Sequence, residues 1–267
     1  WASDIIQLED GRYYMYYCLC EGASPRSVLG VAVADDVEGP YKKVETFLHS
    51  GSAETPDGKR YDATIHPNAI DPHVFFDKEG ELWMVYGSYS GGIYILPMNR
   101  STGLPLEEGY GTKLMGGNHS RIEGPYMLYN AETDYYYLFV SFGGLDATGA
   151  YNIRVARSKN PDGPFVDMQG QDMIEAKGPF SSFFDDKAIE GYGTKLIGNY
   201  VWDYGIGNPL KGYNSPGHNS AYYDEEKDQY FMIFHTRFIG LGERHEVRAH
   251  TLLFNEDGWP MITPRRY

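Results

Sequence analysis

Four times along this 267-residue chain a polar residue opens a short apolar run, a turn follows, and an aromatic-rich run returns. The copies are DIIQLEDGRYYMYY from Asp4, DPHVFFDKEGELWMVY from Asp71, EGPYMLYNAETDYYYLFV from Glu123 and HNSAYYDEEKDQYFMIFH from His218. Each reads as a β-hairpin. The turns hold Asp10-Gly11, Glu79-Gly80, Thr133-Asp134 and Lys227-Asp228, and the flanking runs carry the β-branched and aromatic residues that suit a pleated surface.

A third strand follows two of the hairpins, because Leu29-Gly-Val-Ala-Val-Ala before Glu38-Gly-Pro-Tyr41 resembles Ile153-Arg-Val-Ala-Arg before Asp162-Gly-Pro-Phe165. The hexapeptide Gly-Tyr-Gly-Thr-Lys-Leu occurs at 109–114, ahead of Glu123, and again at 191–196, ahead of the loop that leads to His218. The units therefore run approximately 1–60, 61–108, 109–190 and 191–267. Repeated meanders of three or four antiparallel strands predict an all-β chain folded as a β-propeller, since radial repetition protects strand edges that an open sheet leaves unpaired. A β-sandwich with similar hairpins is the alternative.

No Pro/Ser-rich linker or charge block divides the chain, so one domain is expected. The 24 tyrosines fit broad aromatic strands, and they also fit carbohydrate binding, where ring faces pack on sugar C–H surfaces. A formal net charge of −14 disfavours nucleic acid and anionic membranes as partners, because neither tolerates an acidic surface without a basic patch. No run of 18 apolar residues spans a membrane. Cys18 and Cys20 alternate on one strand and would close only a strained ring, which excludes a disulfide framework.

Geometry converts the repeat into a site. If Asp4, Asp71, Glu123 and His218 each open an innermost strand, they gather around the axis on one face, and the second strands return to that face. The loops following those second strands would form its rim: Cys20–Ser24, Gly87–Gly92, Ser141–Asp146 and Thr236–Phe238. Two axial acids from different blades, Asp71 and Glu123, fit glycoside hydrolysis, where one acid protonates the leaving oxygen and other carboxylates activate water or tune that acid. Taken singly, an Asp before Pro72 is also a turn starter, and a Glu before Gly-Pro is also a solvated loop charge. His218 could ligate a metal or simply hold a loop. His245 and His250 are one residue too far apart for a zinc-protease motif, and their alternation reads as a strand.

Trp1-Ala-Ser-Asp4, Asn68-Ala-Ile-Asp-Pro72, Tyr86-Gly-Ser-Tyr-Ser-Gly-Gly-Ile93, Ile122-Glu-Gly-Pro125 and Gly217-His-Asn-Ser220 resemble glycoside hydrolase family 43. The likeness is greatest to its endo-1,5-α-L-arabinanases, and it runs the whole length of the chain. It implies a secreted, extracellular hydrolase of arabinan or arabino-oligosaccharides, with a five-bladed propeller and an inverting mechanism. It further implies three acids: a general base, an acid that tunes and orients, and a general acid. Asp71 matches the tuning acid and Glu123 the general acid, which stays protonated near neutral pH if a nearby charge raises its pKa. His218 matches a histidine that helps hold calcium or a similar divalent cation, partly through water. Gly22, Asn68, Ala69, Ile70, Ser88, Tyr89 and Ser90 match substrate-lining positions.

The family's general base is an Asp on a blade upstream of the Trp-Ala-x-Asp segment, and no such blade stands in this sequence. Asp4 belongs to the second blade's motif and is not that base. The expectation is therefore that the chain supplies blades two to five. The first blade, roughly 50 to 70 residues by the repeat spacing, would come from the same polypeptide or a companion chain. Without it the chain alone should be nearly inactive. A non-catalytic glycan-binding propeller, and an arabinofuranosidase or xylosidase of the same family, are the competing expectations.

Overall fold

The computed structural model describes residues 2–22, 24–203, 205–207 and 210–266; Trp1 of the first motif and Ala23 of the first rim loop lie outside them. Four antiparallel sheets follow one another along the chain. The first holds β1 (Asp4–Gln7), β2 (Tyr13–Cys20), β3 (Ser27–Ala34) and β4 (Lys42–Ser50). The second holds β5 (His73–Phe76), β6 (Leu82–Tyr86), β7 (Ile93–Met98) and β8 (Thr112–Met115). The third holds β9 (Ile122–Asn130), β10 (Tyr135–Phe142), β11 (Asn152–Ser158) and β12 (Thr194–Ile197). The fourth orders β13 (Tyr200–Trp202), β14 (Lys211–Asp224), β15 (Gln229–Phe238), β16 (His245–Phe254) and β17 (Pro260–Arg266). All four expected hairpins form, and the whole is a propeller of four blades among the described residues.

Both copies of the hexapeptide run into an outermost strand, β8 and β12, from which the chain crosses to the next sheet. The second and third sheets thus extend a few residues past the breaks expected at 108 and 190. His218 does not open its strand as the repeat implied. β14 starts at Lys211, and His218 sits mid-strand, where the pairing with β15 shifts register on both sides of Gly217. That irregularity bends the strand and re-aims its side chains, which is why a period-two reading placed the strand start too late.

Period-two alternation places the core. On β2, Tyr14, Tyr16 and Cys18 are buried against the second sheet while Tyr13, Met15 and Tyr17 are half-buried on the other face. Fully buried tyrosines keep their hydroxyls paired: Tyr16 donates to Gly103 O at 2.7 Å and Tyr86 to Tyr110 O at 2.8 Å. Their large apolar area is therefore removed from water without leaving an unsatisfied donor. Three such cores fill the spaces between successive sheets.

Residues at the axis stitch one sheet to the next. Asp4 Oδ2 accepts the Val74 N–H at 2.8 Å and pairs with His73 Nδ1 at 2.9 Å. Asp71 Oδ2 accepts the Gly124 N–H at 3.2 Å, and the His218 N–H donates to Ser141 Oγ at 2.7 Å. The two end sheets differ from the inner ones in that each turns an apolar face outward. Ile5 and Leu19 are exposed on the first sheet, and Tyr222, Val247, Leu253 and Met261 on the fourth. Cys18 and Cys20 are both free thiols.

Candidate active site

The loops that end the second strands of the first three sheets converge as expected, and with the end of β15, where Thr236–Phe238 is strand rather than loop, they enclose a cleft of about 930 Å³. Gly22, Ser24 and Pro25 come from the first sheet, Ser88, Tyr89 and Ser90 from the second, Gly144, Leu145 and Asp146 from the third, and His235 and Arg237 from the fourth. Asn68 and Ile70 line it too, as does Glu123. Ala69, Asp71 and His218 are not among its lining residues. Ala69 is fully buried, its N–H donating to Ser50 Oγ at 2.9 Å. Asn68 Oδ1 accepts from Ser27 Oγ at 2.6 Å, so the segment that leads to Asp71 is pinned to the first sheet.

Glu123 stands on β9 with both carboxyl oxygens engaged. Ser88 Oγ donates to Oε2 at 2.8 Å and Tyr151 Oη donates to Oε1 at 2.7 Å. The carboxyl is therefore held in one rotamer. Burial raises its pKa above the usual carboxylate range and the Asp71 charge raises it further, while the two hydroxyls and His218 act in the opposite sense. The upward influences win. Burial, then the Glu123 charge, keeps the Tyr151 phenol well above its ordinary pKa, so it stays a donor.

Gly124 joins the three axial side chains. It donates its N–H to Asp71, and a methyl built on it would meet the His218 ring at 3.1 Å. With φ at +58°, a glycine here lets the imidazole lie against the backbone beside the acid. Asp71, Tyr89, Ser90 and His218 also have positive φ, at 54°, 50°, 32° and 49°. Backbone strain of this kind persists only where the surroundings over-determine it, and it clusters at binding and catalytic sites.

Calcium takes six to eight oxygen ligands. Among the described residues no group of three or more His, Cys, Asp or Glu side chains converges to hold an ion. A cation at His218 would therefore take one imidazole from the chain and its remaining ligands from water. His250 and His245 behave as strand residues: His250 is buried and its Nε2 meets Tyr213 Oη at 3.0 Å, whereas His245 lines the cleft.

Several residues at or behind the cleft carried no motif of their own. Tyr151 lies in a short Gly-Ala-Tyr-Asn run that nothing distinguishes by sequence. His235 is held to a pKa of about 4 chiefly by burial, with His218 and Arg237 adding, so it faces the cleft as a neutral ring. Arg237 is buried, with Nε on Glu243 at 2.7 Å. His119, Arg121, Phe183 and Phe184 complete the wall. The Phe183-Phe184 pair, adjacent apolar residues in a polar loop, is the one signal that could have been noticed.

Residues 1–260 match the family model described as glycosyl hydrolases family 43. The chain is 62% identical over its full length to the extracellular endo-α-(1→5)-L-arabinanase 2 of Bacillus subtilis, and 56% identical to the extracellular endo-α-(1→5)-L-arabinanase of Thermotoga petrophila. It spans 57% of the length of each. Among solved structures, a family 43 glycoside hydrolase from Bacillus licheniformis superposes over the whole chain with a TM-score of 0.96 at 61% identity, and 60% of that chain is covered. An α-L-arabinanase from Cellvibrio cellulosa, complexed with arabinohexaose, covers 98% of this chain and 76% of its own, with a TM-score of 0.76 at 25% identity.

Proposed function

The chain belongs to glycosyl hydrolase family 43, and from that premise we propose that it forms the acid side of an inverting, secreted arabinan hydrolase. The bonds cut are internal α-1,5-L-arabinofuranosidic links. One observation carries this reading: a half-buried carboxyl, Glu123, fixed by Ser88 and Tyr151 in the wall of a sugar-sized cleft, with its pKa raised by desolvation and by Asp71. A carboxyl in that state donates a proton to a departing glycosidic oxygen. Asp71 orients the strand that bears the acid, through Gly124, and its charge holds the proton on Glu123.

Inversion needs a second carboxylate on the far side of the sugar, about 6.5–9.5 Å from the first, to activate water. We assign it to a fifth blade seated between the fourth and first sheets. The outward apolar faces of those two sheets support this, because adjacent blades elsewhere in the propeller bury such faces against each other. A divalent cation at His218, held through water, belongs to the same proposal. No step is routed through it. Secretion rests on the word extracellular in the names of the two arabinanases above.

The test uses the full-length protein, linear arabinan and an activated aryl arabinofuranoside. Glu123→Gln is expected to lower arabinan cleavage by about 10²–10⁴-fold, the usual contribution of a general acid, and to spare the aryl substrate, whose leaving group needs no proton. Equal loss on both would remove Glu123 from the acid role. If the unmodified protein binds arabino-oligosaccharides yet releases no reducing ends, the glycan-binding propeller is the better reading. Release of single arabinose or xylose units alone would favour the exo-acting alternatives.

A further inference from the structure

Residues 178–186 carry three aromatic side chains into solvent, with Phe180 83%, Phe183 66% and Phe184 43% exposed. A loop that merely connected β11 to the outer strand β12 would turn such rings inward, because each exposed phenyl face forgoes hydrophobic stabilisation. Here the loop is fixed in place instead. At one end Gly178 donates its N–H to Ser120 Oγ at 2.8 Å and accepts from Asn118 Nδ2 at 2.9 Å. At the other, Arg121 grips Asp186 with two parallel bonds, Nε to Oδ1 at 2.9 Å and a second N–H to Oδ2. Phe184 itself has φ at +58°, a region that bulky residues rarely enter.

The rings so held form a row that starts at the acid. Ser88, which donates to Glu123, is followed by Tyr89; the Tyr89 ring meets Phe184 edge-on at 5.3 Å. Phe184 lies 4.1 Å from Phe183, and Phe183 lies 4.9 Å from the His119 ring. Both phenylalanines line the same cleft as Glu123, so the row is continuous with the candidate site. Apolar ring faces bordered by His119 and Arg121 match a furanose residue, which has a C–H face for the ring and hydroxyl edges for the polar neighbours.

We infer that the Phe183–Phe184 row is a binding ridge for arabinofuranose residues distant from the bond being cut, so that the protein grips a long α-1,5-linked chain. This rests on the arabinan reading above and adds to it where the chain lies and why long substrates are favoured. On that placement arabinotriose spanning the acid would stop short of the ridge, which only longer chains would reach.

The experiment compares the full-length protein with Phe183→Ala. Phe183 is mostly exposed, so the substitution leaves the core intact, and a thermal melt checks this. Loss of one aromatic contact should lower kcat/KM on linear arabinan about tenfold, and on arabinotriose by much less. Affinity for arabino-octaose, measured by calorimetry in the Glu123→Gln background, should fall by a similar factor. An unchanged rate and affinity for the long substrates, or equal losses on arabinotriose and arabinan, would overturn the ridge. The two ideas separate: octaose that binds through Phe183 but is not cleaved when Glu123 is intact upholds the ridge and defeats the hydrolase, whereas cleavage indifferent to Phe183 does the reverse.

Discussion

Replacing Tyr151 by Phe deletes one hydroxyl and leaves the ring in its fully buried seat, packed over Gly217 and 5.9 Å from the His235 ring. That hydroxyl donates to Glu123 Oε1 at 2.7 Å, and it favours the carboxylate over the acid. A hydrogen bond to a charged group is worth about 1.5–3 kcal/mol. Part of this is also made to the neutral acid, and only the remainder favours the carboxylate. Burial and the Asp71 charge already hold Glu123 above the usual range, and losing Tyr151 Oη lifts it further.

The sign follows from the role. A general acid acts while protonated, so in the role proposed for Glu123 activity is present below its pKa and lost as pH rises through it. Tyr151→Phe should therefore move the descending limb of kcat/KM on arabinan upward, read from reducing ends across a pH series. Stability obeys the same rule: a carboxyl with a raised folded pKa favours the fold at low pH, and that contribution disappears as pH rises through the folded value. A limb that stays in place, or moves down, refutes the proposed hold of Tyr151 on the acid.

Asp71→Asn removes the charge that raises Glu123, and should shift the same limb in the opposite direction; Asn tolerates the left-handed backbone found there, so the melting temperature should change little. An upward shift would contradict the assignment of Asp71 as the tuning charge. Gly217→Ala places a methyl 2.3 Å from the Tyr151 ring, an overpacking that should cost about 1–3 kcal/mol and lower the melting temperature by several degrees. No change in melting would mean that the ring is not seated as described. His218→Ala should reduce the calcium retained by the full-length protein; equal metal content by elemental analysis removes the cation from this position.

The fold was legible because its signals are local. Each hairpin announces itself through a turn and a period-two run, and four copies at irregular spacing leave few architectures. Asp71 and Glu123 stand at the same place in the repeat, and the structure brings them together across a sheet boundary through Gly124. Tyr151 was not legible. It reaches Glu123 from the start of β11, 28 residues away, and its partner depends on how two strands lie in space. His218 was placed correctly at the axis but wrongly at a strand end, because a double register shift leaves no mark that alternation can report. Phe184 was missed for a similar reason: a ring in a polar loop acquires its role only from the wall that it faces.

Packing and chemistry also share residues here, and that limits what a single substitution can report. Asp71 ties the second sheet to the third through Gly124, and the same side chain sets the proton affinity of Glu123. A loss of activity in an Asp71 variant could therefore come from a displaced strand or from a deprotonated acid. The two separate by condition. A displaced strand lowers the rate at every pH, whereas a deprotonated acid leaves the low-pH rate intact and moves only the limb. Asn at this position keeps one oxygen to accept the Gly124 N–H and drops the charge, so it isolates the electrostatic part; Ala drops both. If the Asn variant kept the original limb while the Ala variant lost activity throughout, Asp71 would be a structural stitch, and the high proton affinity of Glu123 would have to rest on burial alone.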